Sequence, residues 1–218
     1  MAHEPYGQAL RHARKLIAQT LSYFADHEDK TLPVLRARLM DLVDAKPTLT
    51  QGQNYRSVHM LLGRFGAEFN QALQATLAEE LSAALASALP EPARAPVRGP
   101  SDDGMAGLSL SLIEVGDVER ILLLDRVAHR FSVRYEPGLD PLTQRLGALF
   151  GKESATAADN PFHPLVLLRA FTDAWERCEL DAQATDDLIG SLEPAFFLDL
   201  APLYASLNAA LEKAGVSA

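Results

Sequence analysis

The chain has 218 residues, 48% hydrophobic and 22% charged, and no apolar run approaches the roughly 18 residues of a membrane span, so a soluble protein of one large or two small domains is expected. A single cysteine, Cys178, excludes an internal disulfide and a cysteine metal cage, and the absence of an apolar leader predicts a cytoplasmic protein. The chain has a net charge of −9, and its acidic residues lie mainly in residues 100–218, which hold 9 basic against 19 acidic residues, so nucleic-acid binding by that half is not expected.

Three amphipathic helices are predicted in the first 89 residues. Apolar residues recur at spacings of three and four over Gln8–Phe24 and again over Leu32–Val43, which places them on one face of each helix. The dipeptide Lys46-Pro47 ends the second helix, because the residue before a proline avoids the helical region. A longer helix is predicted from about Gln53 to Leu89, with apolar residues spaced by four from Phe65 onward.

The stripe in the second half of this long helix favours an interaction with something beyond one neighbouring helix. Its central members are Phe69, Leu73, Leu77 and Leu81. A strict four-residue step drifts around a helix of 3.6 residues per turn, so one partner helix cannot cover the whole stripe. We therefore expect part of it to contact another element or another chain, and a homo-oligomer formed through this helix is one such arrangement.

A boundary is predicted at residues 90–105, where four prolines and two glycines exclude a regular helix and favour an extended linker. It separates an N-terminal helical region, residues 1–89, from a C-terminal helical bundle, residues 106–218. The alternation in Leu108–Leu112 is compatible with a strand, but one strand without a partner is weak evidence for a sheet. The predicted fold class is all-α, with about eight helices in two parts joined by a Pro-rich linker.

Caps and helix breakers set the predicted boundaries in the C-terminal part. A helix is expected over Asp117–Tyr135, and Pro137-Gly138 ends it. A shorter helix, Leu139–Phe150, stops at Gly151, which suits a left-handed C-terminal cap. Pro194 marks the start of the last helix. The inward side of the first of these helices is predicted to carry Ile121, Leu124, Ala128 and Phe131.

Several polar residues near the C-terminus are expected to build structure rather than perform chemistry. Asn160 is predicted to cap a helix that has Pro161 at its first position. Tyr204 and Asn208 are interpreted as bonding to backbone at a helix junction, with a functional polar cluster around Asn160 as the alternative. His163 has no histidine or cysteine three or four residues away, so a structural role is favoured over a ligand or general base.

An arginine row is the best candidate for anion binding. Arg126, Arg130 and Arg134 repeat every four residues and therefore stack on one helix face, where they could bind a phosphate or an acidic partner surface. The plainer interpretation is a solvated face whose charge is balanced by neighbouring carboxylates, Glu119, Asp125 and Glu136.

Catalytic motifs are missing from the sequence. No nucleophile elbow of the type Gly-x-Ser-x-Gly occurs, and no Glu-x-x-His pair that would indicate a di-metal site. Paired carboxylates are adjacent in sequence, so on a helix their side chains diverge. The sequence therefore predicts no catalytic residue, no metal site and no cofactor.

The C-terminal half resembles a known family. The residues that carry the likeness are Leu108-Ser109-Leu110 before an acidic helix start, Asn160-Pro161-x-x-Pro164, Ala170-Phe171 and Tyr204-x-x-Leu207-Asn208-x-x-Leu211-x-x-Ala214-Gly215-Val216. This ordered series, over roughly residues 106–216, is similar to the N-terminal part of proteobacterial domain-of-unknown-function family 1631. Members of that family often carry the genome title thymidine phosphorylase.

The resemblance implies a largely helical fold in the bacterial cytoplasm and no established activity. His163 replaces the glycine usual in the Asn-Pro segment, and members are longer than this chain. No Gly-rich phosphate-binding loop supports the phosphorylase title. The family-like positions, interpreted as structural, are Asn160, Pro161, Pro164, Phe171, Tyr204, Asn208 and Gly215.

These observations favour a non-enzymatic helical adaptor or regulatory module that binds another protein. The alternative is a small-ligand sensor that binds an anionic nucleotide second messenger through the arginine row. An enzyme would require residues far apart in sequence to converge in a concave polar pocket.

Overall fold

The computed structural model describes residues 3–45, 48–89, 115–178 and 182–217. Within these ranges the chain forms eight α-helices, two short 3-10 turns and no strand, so the all-α prediction is confirmed. The helices are α1 His3–Ala25, α2 Glu28–Asp44, α3 Leu49–Arg64, α4 Gly66–Ala88, α5 Val115–Leu149, α6 Pro164–Glu176, α7 Ala182–Ser191 and α8 Ala201–Lys213. The 3-10 turns are Ala157–Asp159 and Pro194–Phe196. The predicted linker, residues 90–105, the alternating segment Leu108–Leu112 and the break at Lys46-Pro47 lie outside the described residues.

The predicted long helix of the N-terminal region is two helices. Thr48 caps α3 through a capping box, in which its side chain accepts a hydrogen bond from the backbone N–H of Gln51. The helix ends at Arg64, and α4 begins at Gly66 after a non-helical Phe65. Glycines at 63 and 66 flank the break and lower helix propensity there. A single helix from Gln53 to Leu89 was therefore wrong, because the chain turns at Phe65.

The four-residue stripe is the centre of the core. Its side chains are at most 5% exposed: Phe69, Leu73, Leu77 and Leu81. The drift of the stripe is explained because α4 packs against two helices of the same chain, α6 and α1. The expected contact with another element is present, whereas a contact of these four side chains with another chain is excluded by their burial. These four side chains are therefore not available for a homo-oligomer, whereas a homo-oligomer formed through other residues of the predicted long helix stays a prediction.

The two halves of the sequence share this core. The ring of Phe69 lies edge-on to Phe171 with 4.9 Å between centroids, and Thr76 Oγ1 donates to the Ala170 carbonyl at 2.7 Å. Arg38 of α2 pairs with Glu193 at 3.0 Å. Because these contacts join the helices before residue 89 to those after 115, the two predicted parts pack on one another.

Helix α5 is longer than predicted. It runs through Pro137 and Pro141 and ends at Leu149, so the expected break at Pro137-Gly138 was wrong. A proline inside a helix costs about 3 kcal/mol or more. Burial of a leucine side chain contributes roughly 1.5–3 kcal/mol, and Leu139, Leu142 and Leu146 are all buried below the prolines. Their packing offsets the penalty and holds the helix continuous.

Two helices, α5 and α8, end at a glycine in the left-handed conformation. Gly151 and Gly215 have φ of 70° and 79°, the left-handed region that a side chain disfavours. At each end two backbone N–H groups donate hydrogen bonds to carbonyls of the last helical turn. In α8 these bonds run from Gly215 to Glu212 and from Val216 to Leu211. The last helix nevertheless starts at Ala201 and not at the predicted Pro194, which opens a 3-10 turn. None of the helices in the described ranges has the length and apolar character needed to cross a bilayer.

Candidate functional site

The Asn-Pro segment forms a buried junction between three helices. Asn160 is 2% exposed; its Oδ1 accepts from the Phe162 N–H at 2.8 Å and its Nδ2 donates to Thr143 Oγ1 of α5 at 2.9 Å. The hydroxyl of Tyr204, on α8, donates to the Phe162 carbonyl at 3.1 Å. Complete burial raises the pKa of Tyr204 far above its usual value, so this hydroxyl stays protonated as a donor. The junction satisfies its own polar groups and positions α6 against α5 and α8.

The residue that caps α6 is His163 and not Asn160. The helix begins at Pro164, and His163 Nδ1 accepts a hydrogen bond from the Leu165 N–H at 3.3 Å. Asn160 lies one turn too early for the cap, because Pro161 and Phe162 belong to the bend that its side chain stabilises. The predicted first-position proline is therefore Pro164, and Pro161 lies in the turn.

His163 also faces an open polar cleft of about 450 Å³ between α5 and the segment before α6. The polar and ionisable side chains that line it are His129, Ser132, Glu136, Asp140, Thr143, Gln144 and His163. Its Nε2 lies 3.1 Å from Ser132 Oγ, which superficially resembles a catalytic serine–histidine pair. Asn208, which an enzyme hypothesis would require in one pocket with His163, lines a different cleft.

The hydrogen bonds give His163 and Ser132 the reverse of the roles in a catalytic pair, because the histidine is the donor and the serine the acceptor. Since Nδ1 of His163 accepts the Leu165 N–H, the proton of the neutral ring is on Nε2, which then donates to Ser132. The Ser132 hydroxyl in turn donates to the Ala128 carbonyl at 3.0 Å. In this arrangement the histidine cannot accept the serine proton, so His163 does not act as a general base for Ser132. The geometry is that of a helix cap braced by a serine.

We predict that His163 makes stability depend on pH. Burial lowers its pKa below 6.5, and the positive N-terminus of α6 acts in the same direction. The unfolded state therefore takes up the proton first as pH falls through about 6.5, and stability is full above that pH and is lost below it. In urea titrations at pH 7.5 and 5.5, we expect wild type to lose more unfolding free energy than His163→Asn.

Asparagine at position 163 is a suitable comparison because it keeps a strong N-cap but does not titrate. The other histidines are common to both proteins and cancel in the difference. An equal loss in the two proteins would mean that His163 titrates alike in the folded and unfolded chain, which contradicts the burial argument.

Asn208 ties α8 to the proline segment of α5. Its Nδ2 donates to the Gly138 carbonyl at 2.8 Å and to the Tyr204 carbonyl at 2.9 Å, and its Oδ1 accepts from Arg145 Nη1 at 2.6 Å. Arg145 also pairs with Glu212. A side chain at Gly138 would approach Tyr204 Cβ to 3.0 Å, so the glycine permits the close contact of the helices. Tyr204 and Asn208 thus act on backbone at a helix junction.

A cleft of about 530 Å³ opens beside this junction. Its charged lining is balanced, with two arginines and two carboxylates: Arg134, Arg145, Asp199 and Glu212. Arg134 is the only member of the predicted arginine row among the residues that line it. This cleft therefore brings one residue of the row together with Tyr204 and Asn208, which the sequence alone did not connect.

The other two arginines of the row point elsewhere. Arg126 and Arg130 are exposed, and Arg130 Nη2 donates to the Leu192 carbonyl at the end of α7 at 3.2 Å. Arg120, which precedes the row, pairs with Glu176 and Asp186. The row lies on the outer surface of α5, and its members do not converge on one point.

Sequence reasoning missed the apolar half of the same surface. Before the prolines of α5, four large aliphatic side chains are 42–60% exposed: Val118, Ile121, Leu122 and Val133. Ile121 had been assigned inward, but at 49% exposure it lies on the outer side, whereas Leu124, Ala128 and Phe131 are buried as predicted. We call these four side chains with Arg126, Arg130 and Arg134 the outer face of α5. The exposed spacing 118, 122, 133 is the signal that could have revealed it.

Metal ligation finds no support in the described ranges, where His, Cys, Asp and Glu form no group of three that could hold an ion. Cys178 is a half-buried free thiol late in the α6 segment, and burial raises its pKa, which disfavours the reactive thiolate.

The fold and these sites define an all-helical domain whose distinctive polar residues connect helices to one another. The chain belongs to the family described as protein of unknown function DUF1631, N-terminal domain, which matches residues 8–215. The match includes the N-terminal helices as well as the region 106–216 where the motifs lie. Neither curated proteins nor solved structures show a significant match to the chain.

Proposed function

We propose that this domain is a non-catalytic adaptor or regulatory module that binds another protein through the outer face of α5. The observation that carries the proposal is the exposure of Val118, Ile121, Leu122 and Val133 on one helix, at 42%, 49%, 57% and 60%. Val118, Ile121 and Leu122 are neighbours on the helix, and a group of large exposed aliphatic side chains is typical of an interaction surface; Val133 lies about three turns further along.

The charges beside this cluster indicate what kind of partner it fits. At 3.6 residues per turn, Val118, Leu122 and Val133 lie within a strip about 60° wide, and each arginine of the row lies about 40° further round than the last. The aliphatic strip is thus bordered on one side by the arginine row, and the exposed carboxylates of Asp125 and Glu136 lie at its other side. Arginine beside aliphatic side chains is common in interface cores. An amphipathic helix with a carboxylate-rich flank would satisfy both parts.

A matched pair of variants tests this proposal. The double variant Leu122→Asp with Val133→Asp places charge on the outer face, whereas Leu49→Asp with Met60→Asp changes two side chains on α3 that are 81% and 65% exposed. Full-length chains are immobilised, exposed to bacterial lysate, and the retained proteins are identified by mass spectrometry. We expect a partner that wild type and the α3 variant retain and the α5 variant loses.

Circular dichroism establishes that both variants are folded before the comparison. If no retained protein distinguishes the α5 variant from the α3 variant, the outer face is not the binding surface and the proposal is abandoned. Sedimentation of the purified chain separates binding to another protein from self-association through the same face.

The alternative, a nucleotide sensor using the arginine row, has less geometric support. Arg126 and Arg130 line none of the clefts described above, and the guanidinium of Arg130 is engaged with the Leu192 carbonyl. A nucleotide needs convergent donors in a concave site, and of the row only Arg134 lines one of these clefts.

A further inference from the structure

Helix α1 carries a charge opposite to that of the protein. Between residues 7 and 25 the charged side chains are Arg11, Arg14 and Lys15, and no aspartate or glutamate occurs, although the whole chain has a net charge of −9. All three are exposed. This concentration of positive charge on one short surface is unlike the mixed charges of α5.

A cleft of about 450 Å³ lies along the side of this helix, between α1 and α8. His12, Lys15 and Gln19 line it from α1, and Ser206 and Lys213 line it from α8. Its floor is apolar and includes Leu16 and Leu211. The Gln19 amide donates to the Ser206 hydroxyl across the cleft, so polar groups from both walls meet inside it.

No carboxylate is among the residues that line this cleft. Glu212, the neighbour of Lys213, faces α5, where it pairs with Arg145. Lys15 and Lys213 therefore stand on opposite walls without an acidic side chain between them among the lining residues. Two ammonium groups, an imidazole, an amide and a hydroxyl around one space provide the donors that a phosphate group uses.

We propose that the cleft between α1 and α8 binds a phosphate-bearing small molecule, with Lys15 and Lys213 contacting the phosphate from opposite walls. The size of the cleft lies within the 300–1,000 Å³ typical of small-ligand sites. This proposal does not depend on partner binding by the outer face of α5, because that surface lies on another helix and consists of other residues.

Two larger anionic partners, a membrane surface and a nucleic acid, fit the same surface less well than a small phosphate. A membrane-bound helix inserts large apolar side chains, but the outward side of α1 carries Arg11, Lys15, Ala18 and Ser22, which are exposed and include none. A nucleic acid spreads over many phosphates and experiences the field of the whole protein, whose net charge of −9 repels a polyanion. A small phosphate enters the cleft and is exposed mainly to its local charges, because more distant charges are screened.

Isothermal titration of the full chain with sodium pyrophosphate and with ATP, at 0.15 M salt, tests the proposal. We expect saturable binding of at least one probe, and an affinity loss of tenfold or more in the double variant Lys15→Gln with Lys213→Gln. The matched control, Arg56→Gln with Arg169→Gln, removes the same charge from exposed positions on α3 and α6 that line none of the clefts described here, and it is expected to stay within twofold of wild type. Circular dichroism verifies that both variants are folded.

Three results would overturn the proposal. The first is no saturable binding of either probe by wild type. The second is an equal loss in the control variant, which would show a general effect of charge and not a site at the two lysines. The third is binding of a single-stranded oligonucleotide without binding of either small probe.

Discussion

Replacing Leu77 by glutamate is expected to abolish cooperative folding. Leu77 is fully buried in α4, between α1 and α6. The substitution removes roughly 1.5–3 kcal/mol of burial and adds a buried charge without a partner, which is among the most destabilising changes known. Because domains of this kind are stable by about 5–15 kcal/mol, we expect thermal melts followed by circular dichroism to lose their sigmoidal transition.

Ala75→Glu is the control for this prediction, because Ala75 is exposed on the same helix. Its unfolding free energy is expected to stay within about 0.5 kcal/mol of wild type. If Leu77→Glu instead gave a folded chain that had lost self-association, the stripe would be an interface between chains, and its placement in the core would be refuted.

Replacing Phe171 by alanine is expected to lower the unfolding free energy by about 3–5 kcal/mol. This side chain is 1% exposed and its ring lies 4.9 Å from that of Phe69 and 5.4 Å from that of Phe197. It therefore contacts α4 of the N-terminal half and the segment before α8 in the C-terminal half. Urea unfolding followed by circular dichroism and by the fluorescence of Trp175, the single tryptophan, measures the change.

The two probes should report one coincident transition, in wild type and in the variant, because both halves use the same core. Phe196→Ala serves as the control: this ring is half-buried beneath Arg38, whose guanidinium carbon lies 4.4 Å from the ring centroid, so a loss of about 1 kcal/mol is expected. Two separated transitions would show that residues 1–89 and 106–218 unfold as independent units.

The spacing of apolar residues was sufficient to predict that these segments are helical, but not which elements pack against their apolar faces. The four-residue repeat through Leu73 and Leu77 correctly indicated more than one partner, since α4 packs on two helices. Whether those partners belong to the same chain depends on contacts between residues about 100 positions apart, such as Phe69 with Phe171. Apolar spacing carries no information about such contacts, so the stripe was assigned to an interface when it belongs to the core.

Local breaking rules failed where packing outweighed them. Pro137 and Pro141 do not end α5, because the leucines that follow are buried, whereas Phe65 ends α3 although no proline is near. Ile121 also follows the inward spacing of its helix, but at 100° per residue it lies about 60° round the helix from Leu124, and it is 49% exposed. Propensity is worth at most a few kcal/mol per residue, and tertiary contacts exceed it.

The candidate sites show the same limit, because the sequence indicated local polar contacts but not contacts between distant segments. Asn160, Tyr204 and Asn208 were found through the family resemblance and an expectation of backbone bonding, but the cap itself belongs to His163, a residue type that is rarely expected there. The basic cleft escaped notice because Lys15 and Lys213 meet only once α1 and α8 are adjacent. A one-dimensional search cannot pair residues that are almost a chain length apart.

The two prolines of α5 have a mechanical consequence. Without their amide hydrogens, the carbonyls of Val133 and Pro137 lack the usual hydrogen bond from the residue four positions ahead, so the helix is weakest in its own hydrogen bonding at this point. Buried side chains hold it on both sides, with Phe131 before the prolines and Leu142 after them. A bound molecule that pulled on the outer face of α5 could bend the helix there only by disturbing this packing, and its force would therefore reach the whole bundle.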